Sequence, residues 1–333
     1  MNVTIFGSGT WGTALGQVLT DNGHDVLIYG ISQEQINDIN NNHQNSFYFG
    51  KEVFLNSHIK ATTNIKDAIA FSDIFIISVP TAVMRSLLDN INNNISKKAL
   101  FVNTAKGFDT EKVMRISDVI RECISEDHLA GVVSLIGPSH AEEVVIRMLT
   151  TITATSLNIK HAELIQQLFA NDYLRVYTQT DEVGAELGVA YKNAIAIASG
   201  ILAGLGYGDN ARAALITRGL AEMVRFGTHF GGEMSTYMGL TGLGDLIVTC
   251  NSKHSRNFQA GFQIGSEDGA EKFMRENTTT VEGVRTAKIV HEVAKSLGIK
   301  TPIIDAIYSV IYEQTPPSKQ ILQLMNRPLT SEE

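Results

Sequence analysis

The stretch that most restricts the fold is the first thirty residues, MNVTIFGSGTWGTALGQVLTDNGHDVLIYG. An apolar run from Val3 to Phe6 stops at Gly7, and small and apolar residues at helical spacing follow from Thr10 to Thr20. Asn22-Gly23 then ends the helix, and Asp25 to Tyr29 is apolar again. Strand, glycine turn, helix and strand in this order form a βαβ unit, whose strands run parallel. Inside it lies GSGTWG, residues 7–12. Alone, a G-x-G-x-x-G match says little, and a glycine-rich turn with no ligand fits it too. A strand before it and a helix after it give the pattern physical content. Gly7 permits the tight turn, Gly9 lets backbone approach a pyrophosphate, and Gly12 lets helix and strand pack closely. The helix N-terminus offers N–H groups and a positive dipole end to phosphate. One part of this dinucleotide signature is missing. Where an acid is expected to hold the ribose hydroxyls, the chain reads Tyr29-Gly30-Ile31-Ser32, with neither acid nor arginine. The choice between NAD and NADP stays open at this point.

The alternation continues. Strands are predicted at Ile74–Val79 (closed by Pro80), Ala99–Val102, Val132–Ile136 and Thr151–Ala154, with helices such as Ala82–Ile91 and Glu111–Ile124 between them. This is an α/β pattern, a doubly wound, Rossmann-type parallel sheet. From about Asp181 the strand signals stop. Val183–Leu205 is apolar nearly all round and predicts a buried central helix. Ala211–Phe230 is amphipathic, with Arg218 and Glu222 spaced for a helical ion pair. Further helices are expected near Arg256–Ile264, Gly283–Leu297 and Ile303–Tyr312, and the polar tail after Pro328 is expected to fray. Two domains follow: residues 1–180 as the dinucleotide-binding domain, and 181–333 as an all-α C-terminal domain carrying substrate and catalytic groups.

Composition narrows the partners. The chain has 333 residues, 44% hydrophobic and 19% charged, with a net charge of −8. That is globular composition, and an acidic surface argues against broad binding of nucleic acid or anionic membrane. An anionic ligand would have to be captured by a few local Lys and Arg residues. Two cysteines, Cys123 and Cys250, are too few and too far apart for a Cys-built metal site or a disulfide framework. No H-E-x-x-H arrangement is present, so no metal is expected. The N-terminus has no basic leader and no apolar run reads as a bilayer span, which predicts a cytoplasmic chain without membrane insertion.

Four further stretches carry chemistry. Thr104-Ala-Lys106-Gly107 follows a strand, where ligands bind in such sheets, although an exposed loop lysine fits as well. Gly137-Pro-Ser139-His140 joins a strand end to a helix start, and is equally compatible with a simple cap. Lys192 lies in the apolar helix with Gly188, Val189, Ile195 and Ala196 as its helical neighbours. A lysine there must face a cavity, meet a tertiary acid or snorkel to the surface. Desolvation would pull its pKa down toward the range useful for acid–base work. Finally, Gly242-Leu-Gly244-Asp245 precedes His254-Ser255-Arg256-Asn257. Asp245 and Ser255 fit helix N-caps, yet Ser-Arg-Asn at a helix start also makes a phosphate grip of N–H groups, hydroxyl, amide and guanidinium. Thr279-Thr-Val-Glu282 fits a capping box.

Taken in order, GSGTWG, VPT, AKGF, GPSHAEE, ELGVAYKN, GYGDNARAALITRGLAEM, GLTGLGDLIVTC, HSRNF and VEGVRT resemble bacterial NAD(P)-dependent glycerol-3-phosphate dehydrogenase, from the first strand to about residue 310. The resemblance implies interconversion of dihydroxyacetone phosphate and sn-glycerol 3-phosphate, supplying phospholipid synthesis, by a homodimer. It makes Lys192 the catalytic acid–base. Lys106, Gly137, Ser139, Lys192 and Asp245 would bind substrate, with Ser255, Arg256 and Asn257 on its phosphate. Gly7, Gly9, Thr10, Trp11, Gly12, Lys106, Ala141, Arg256 and Glu282 would contact NAD or NADP. Relatives often carry a basic residue just after the second strand, where this chain has Gly30, Ile31 and Ser32, so a weaker hold on NADP is expected. Two rival readings are a related hydroxy-acid dehydrogenase of the same build, which needs no phosphate grip, and a non-catalytic NAD sensor, which needs no Lys192.

Overall fold

In a computed structural model describing residues 1–329, 331 and 332, the chain divides into two units, Met1–Glu186 and Leu187–Glu333. The first is built on eight strands: β1 (Asn2–Phe6), β2 (Asp25–Tyr29), β3 (Lys60–Thr62), β4 (Ile74–Ile77), β5 (Ala99–Asn103), β6 (Leu129–Ile136), β7 (Thr150–Thr155) and β8 (Leu174–Gln179). They form one sheet in the order β3-β2-β1-β4-β5-β6-β7-β8. β4 and β5 are buried along their whole length, which explains why they read as continuous apolar runs. Alternate residues serve opposite faces. Ile5 packs with Leu15, Val18 and Leu19 of the Thr10–Asp21 helix, while Phe6 packs with Phe75 and Phe101. Those three rings meet edge to face, at centroid distances of 5.2 and 5.5 Å.

The sheet departs from the all-parallel expectation at one junction, where β6 and β7 run antiparallel with Ile136 opposite Thr153. Only a single helical turn, Ala141–Val144, lies between these strands. A parallel return needs a crossover long enough to run back along the strand, and one turn cannot supply it. β3 and β8 were not anticipated. The helix expected from Glu111 begins at Ile116 instead. The preceding residues wrap around buried Asp109, which accepts the N–H groups of Thr110 and Lys112 at 2.8 and 2.9 Å and the Arg85 guanidinium at 2.8 Å.

The second unit is helical. The Glu182–Gly204 helix, whose second turn holds the unit boundary, is 23 residues long with a hydropathy of 1.3 over its most apolar window. By length and composition it is a possible bilayer span, contrary to the expectation that no such run exists. However, 83% of that window is buried inside the fold. Its glycines receive another helix, Arg256–Ser266: a Cβ on Gly200 would collide with the Phe258 backbone, and one on Gly261 with the Ile197 backbone. The expected pairing of Arg218 with Glu222 on the Asp209–His229 helix gives way to other partners. Buried Glu222 accepts the N–H groups of Ile303 and Ile304 at 2.8 and 3.4 Å, at the start of the Pro302–Tyr312 helix. Arg218 donates to the Glu332 carbonyl at 3.1 Å. Burial pushes the Glu222 carboxyl up to about 7. Of the tail expected to fray, Thr330 and Glu333 lie outside the described residues.

Candidate active site

In the first unit the strand order reverses between β1 and β4, and ligands of such sheets bind outside the strand ends at that point. GSGTWG follows β1 there. Gly7 has φ +125°, a conformation that side chains resist, and an added Cβ would lie 2.8 Å from the Ser78 carbonyl carbon. A Cβ on Gly12 would strike the Gly7 backbone and reach Ile5 Cγ2 at 3.3 Å, so helix and strand pack as closely as the sequence requires. Gly9 differs: nothing lies within 4 Å of its would-be Cβ. Gly9 is also the N-cap of the Thr10–Asp21 helix, with no side-chain cap bond. The first helical bond is Thr13 N–H to the Gly9 carbonyl, at 3.0 Å, which leaves the N–H groups of Thr10, Trp11 and Gly12 in the helix's open first turn. The Trp11 indole nitrogen is buried without a protein partner among the described residues.

Behind the loop, Asn45 donates to the Ser8 carbonyl and Thr13 hydroxyl, both at 2.9 Å, and the Ser8 hydroxyl donates to Gln35 at 2.9 Å. Open space at Gly9, uncapped donors and a rigid backing fit a dinucleotide pyrophosphate. At the end of β2, a Cβ on Gly30 would fall 2.7 Å from the Ser8 Cβ, so no acid fits there without moving Ser8. Ile31 is 91% exposed and Ser32 caps the next helix through the Gln35 N–H.

The ends of β5 and β6 bring Lys106, Gly137 and Ser139 together. Lys106 Nζ donates to the Gly137 carbonyl at 2.7 Å and to Ser139 Oγ at 3.4 Å, and Ser139 Oγ donates to the same carbonyl at 3.1 Å. A backbone carbonyl and a hydroxyl thus orient half-buried Lys106. Ala141 is buried at the start of the one-turn helix that His140 precedes.

The second unit holds the other group. Lys192 is only 4% exposed, which excludes snorkelling. Its Nζ makes an ion pair with Asp245 Oδ1 and donates to Thr249 Oγ1 at 2.7 Å. Thr249 in turn donates to the Asp245 carbonyl at 2.6 Å. Gly188, one helical turn before Lys192, explains the approach. A Cβ there would lie 2.6 Å from the Thr241 carbonyl oxygen, so only glycine lets the wide turn Leu240–Gly244 rest on the helix. That turn delivers Asp245, the first residue of the Asp245–Asn251 helix and fully buried. The N-cap reading of Asp245 therefore fails, since the side chain turns inward to the lysine. Thr249 was not anticipated, although its spacing of four from Asp245 places both on one helical face.

Nearby along the chain, Ser255 does cap its helix, accepting the Phe258 N–H at 3.2 Å. Arg256 is exposed at the first helical position. Asn257 is buried: it donates to Asn193 Oδ1 at 3.0 Å and accepts the Gly283 N–H at 2.9 Å. Asn193, next to Lys192, was also missed. Glu282 opens the Glu282–Leu297 helix behind Val281, so the capping box does not form; Thr279 donates to Asn277 instead, at 2.8 Å. A buried ammonium between a carboxylate and a hydroxyl can deliver and recover a proton, and an exposed guanidinium at a helix start can take an anion.

The profile of the NAD-dependent glycerol-3-phosphate dehydrogenase N-terminus matches residues 2–162, and that of the C-terminus of the same enzyme matches residues 181–322. A glycerol-3-phosphate dehydrogenase [NAD(P)+] of Staphylococcus haemolyticus is 48% identical over 330 residues, covering 99% of each chain. The crystal structure of glycerol-3-phosphate dehydrogenase from Coxiella burnetii superposes with a TM-score of 0.90 at 29% identity, covering 98% of this chain and 99% of that one. The corresponding enzyme from Saccharomyces cerevisiae gives 0.84 at 26% identity, over 96% and 98%.

Proposed function

This chain belongs to the NAD-dependent glycerol-3-phosphate dehydrogenase family, and on that premise we propose that it interconverts dihydroxyacetone phosphate and sn-glycerol 3-phosphate with Lys192 as the acid–base group. A bound nicotinamide supplies the hydride that adds to C2 of the ketone. Lys192 donates its proton to the C2 oxygen as that oxygen gains charge, and takes it back in the reverse direction. Asp245 and Thr249 aim the ammonium, since both engage Nζ. Lys106 and Arg256 supply positive charge to an otherwise acidic protein, Arg256 with Ser255 and Asn257 for the ester phosphate, Lys106 with Gly137 and Ser139 for the carbonyl end and the nucleotide. Gly7, Gly9, Thr10, Trp11, Gly12, Ala141, Arg256 and Glu282 contact the nucleotide in this reading. The residues before and after Asp181 then serve as dinucleotide-binding and substrate domains. The family resemblance also supports a cytoplasmic homodimer working in the reducing direction for phospholipid synthesis.

The observation that carries the reading is the buried Lys192–Asp245–Thr249 cluster. Loss of absorbance at 340 nm on adding dihydroxyacetone phosphate tests it, with NADH and NADPH compared and a 2-keto acid as control. Oxidation of the reduced nucleotide with dihydroxyacetone phosphate, none with the keto acid, and no large NADPH advantage in kcat/KM are expected. Silence at high enzyme concentration overturns the reaction. A large NADPH advantage overturns the argument from Gly30, Ile31 and Ser32.

A further inference from the structure

Glu186 is a buried carboxylate that the reaction above does not use. It lies on the Glu182–Gly204 helix and accepts three hydrogen bonds within the first unit. Ser117, at the start of the Ile116–Cys123 helix, gives its N–H and its hydroxyl to Oε2 at 3.3 and 3.0 Å. Ser134 of β6 gives its hydroxyl to Oε1. The chain of bonds continues from there. Asn103, opposite Ser134 at the end of β5, donates its amide to Ser134 Oγ at 3.4 Å. The Asn103 Oδ1 accepts the Ala105 N–H at 2.9 Å, and the next residue is Lys106. Gly137 directly follows β6, and Ser139 stands three residues beyond its end.

Resting on the functional reading above, we propose that Glu186 is a positioning residue, which sets the ends of β5 and β6 and so the placement of Lys106 beside Gly137 and Ser139. The direction of each bond gives the reason. A carboxylate only accepts, so the Ser134 O–H must point to Glu186. The Ser134 lone pair is then free for the Asn103 amide, and the Asn103 oxygen is left for Ala105. A glutamine at position 186 breaks the sequence of donors. Its oxygen stays with Ser117, and its amide nitrogen faces Ser134, which then meets two donors and has no acceptor for its own proton. The same reversal occurs when Glu186 takes up a proton.

Burial and the neighbouring Glu182 push the Glu186 carboxyl up to about 7, against Ser134, Arg115 and Ser117, which pull it down. Arg121 from the Ile116–Cys123 helix also faces it, with Arg121 and Arg115 both held by Glu182. The positioning is therefore strongest above neutral pH.

The test is steady-state kinetics with dihydroxyacetone phosphate and NADH on Glu186→Gln, Ser134→Ala and each combined with Lys106→Ala. Glu186→Gln is expected to raise KM for the ketone about tenfold, with a smaller change in kcat, because one charged hydrogen-bond network is lost. The unaltered enzyme should show an inflection near neutrality in log KM against pH, and Glu186→Gln should lose it. Ser134→Ala breaks the same chain and should raise the same KM, which decides the matter alone if Glu186→Gln does not fold. In the Lys106→Ala background neither change should act further. The proposal is overturned if folded variants keep KM within about twofold of the unaltered enzyme, or if their effect persists undiminished without Lys106. An inactive unaltered enzyme would instead refute the functional reading itself.

Discussion

Two lysines, one in each unit, are held in opposite ways. Lys106, at the end of β5 in the first unit, is half-buried and rests on a backbone carbonyl and a serine hydroxyl. Lys192, in the middle of a buried helix of the second unit, is paired with a carboxylate and a threonine. A carbonyl and a hydroxyl fix the direction of the Lys106 ammonium. A carboxylate partner compensates burial and gives a proton donor a fixed direction. In the proposed reaction one lysine serves as a charge and the other as a proton carrier. Residue type alone does not tell them apart; the surrounding acceptors do.

Substitution tests this contrast directly. Lys192→Ala should lower kcat about a thousandfold, the usual contribution of a positioned general acid, with KM changing only a few-fold. Lys106→Ala should do the reverse, chiefly raising KM for dihydroxyacetone phosphate. Equal effects of both on KM alone would erase the distinction. Asp245→Asn should come next, lowering kcat about a hundredfold. It should also reduce unfolding stability by about 3–5 kcal/mol, since a buried charge loses its partner. Urea unfolding beside kinetics separates the two effects. An Asp245→Asn enzyme of unchanged stability would mean that Lys192 does not depend on this acid.

These contrasts show where the sequence is informative. The glycine-rich loop was legible because two of its glycines answer a local need, Gly7 the backbone angle and Gly12 the contact with Ile5. The helical second half was legible from its period. Pairing direction was not: neither apolar β6 nor threonine-rich β7, TTITAT, states its direction, and the short connection between them favours the antiparallel pairing. β3 has three residues, too few for any period. β8 alternates buried Leu174 and Val176 with exposed Arg175 and Tyr177, a pattern available in LRVYTQ but weak at a sheet edge. Within the site, Lys192 stood out as a charge in an apolar helix, whereas Asp245 looked like a cap because helix starts favour acids wherever they face. Thr249 and Asn193 carry no such anomaly, and their roles come from tertiary approach through Gly188 and Gly283, where a side chain would collide.

Arg256 sharpens the comparison from a third position. It is exposed at a helix start, unlike either lysine. Arg256→Ala should raise KM for the phosphate ester about tenfold or more, as expected for losing charge-assisted hydrogen bonds, while kcat stays nearly constant. Arg256→Lys should recover only part, because a point charge does not reproduce the planar fork. A substrate lacking phosphate should be indifferent to both changes; if it suffers equally, Arg256 serves the nucleotide rather than the ester.

The smallest expected effect compares the buried acids of the two units. Glu186 in the first and Glu222 in the second both sit at helix N-termini, and burial pushes each carboxyl up to about 7. In the unfolded chain a glutamate titrates near 4.5. At pH 6 the folded protein thus holds protons that the unfolded chain has released. Stability from each group is complete below the unfolded value and is lost as pH rises through the folded one. Between pH 6 and pH 8 that loss is about 1.4 kcal/mol per group, which corresponds to roughly 3 °C in Tm. Replacing Glu222 by glutamine removes its titration but keeps an oxygen for the nearer Ile303 N–H. The fall in Tm from pH 6 to pH 8 should therefore shrink by that amount relative to the unaltered protein. Calorimetry at the two pH values measures the difference. An identical fall in both proteins would show that Glu222 is already ionised in the folded state at pH 6, held so by the helix N-terminus against the cost of burial.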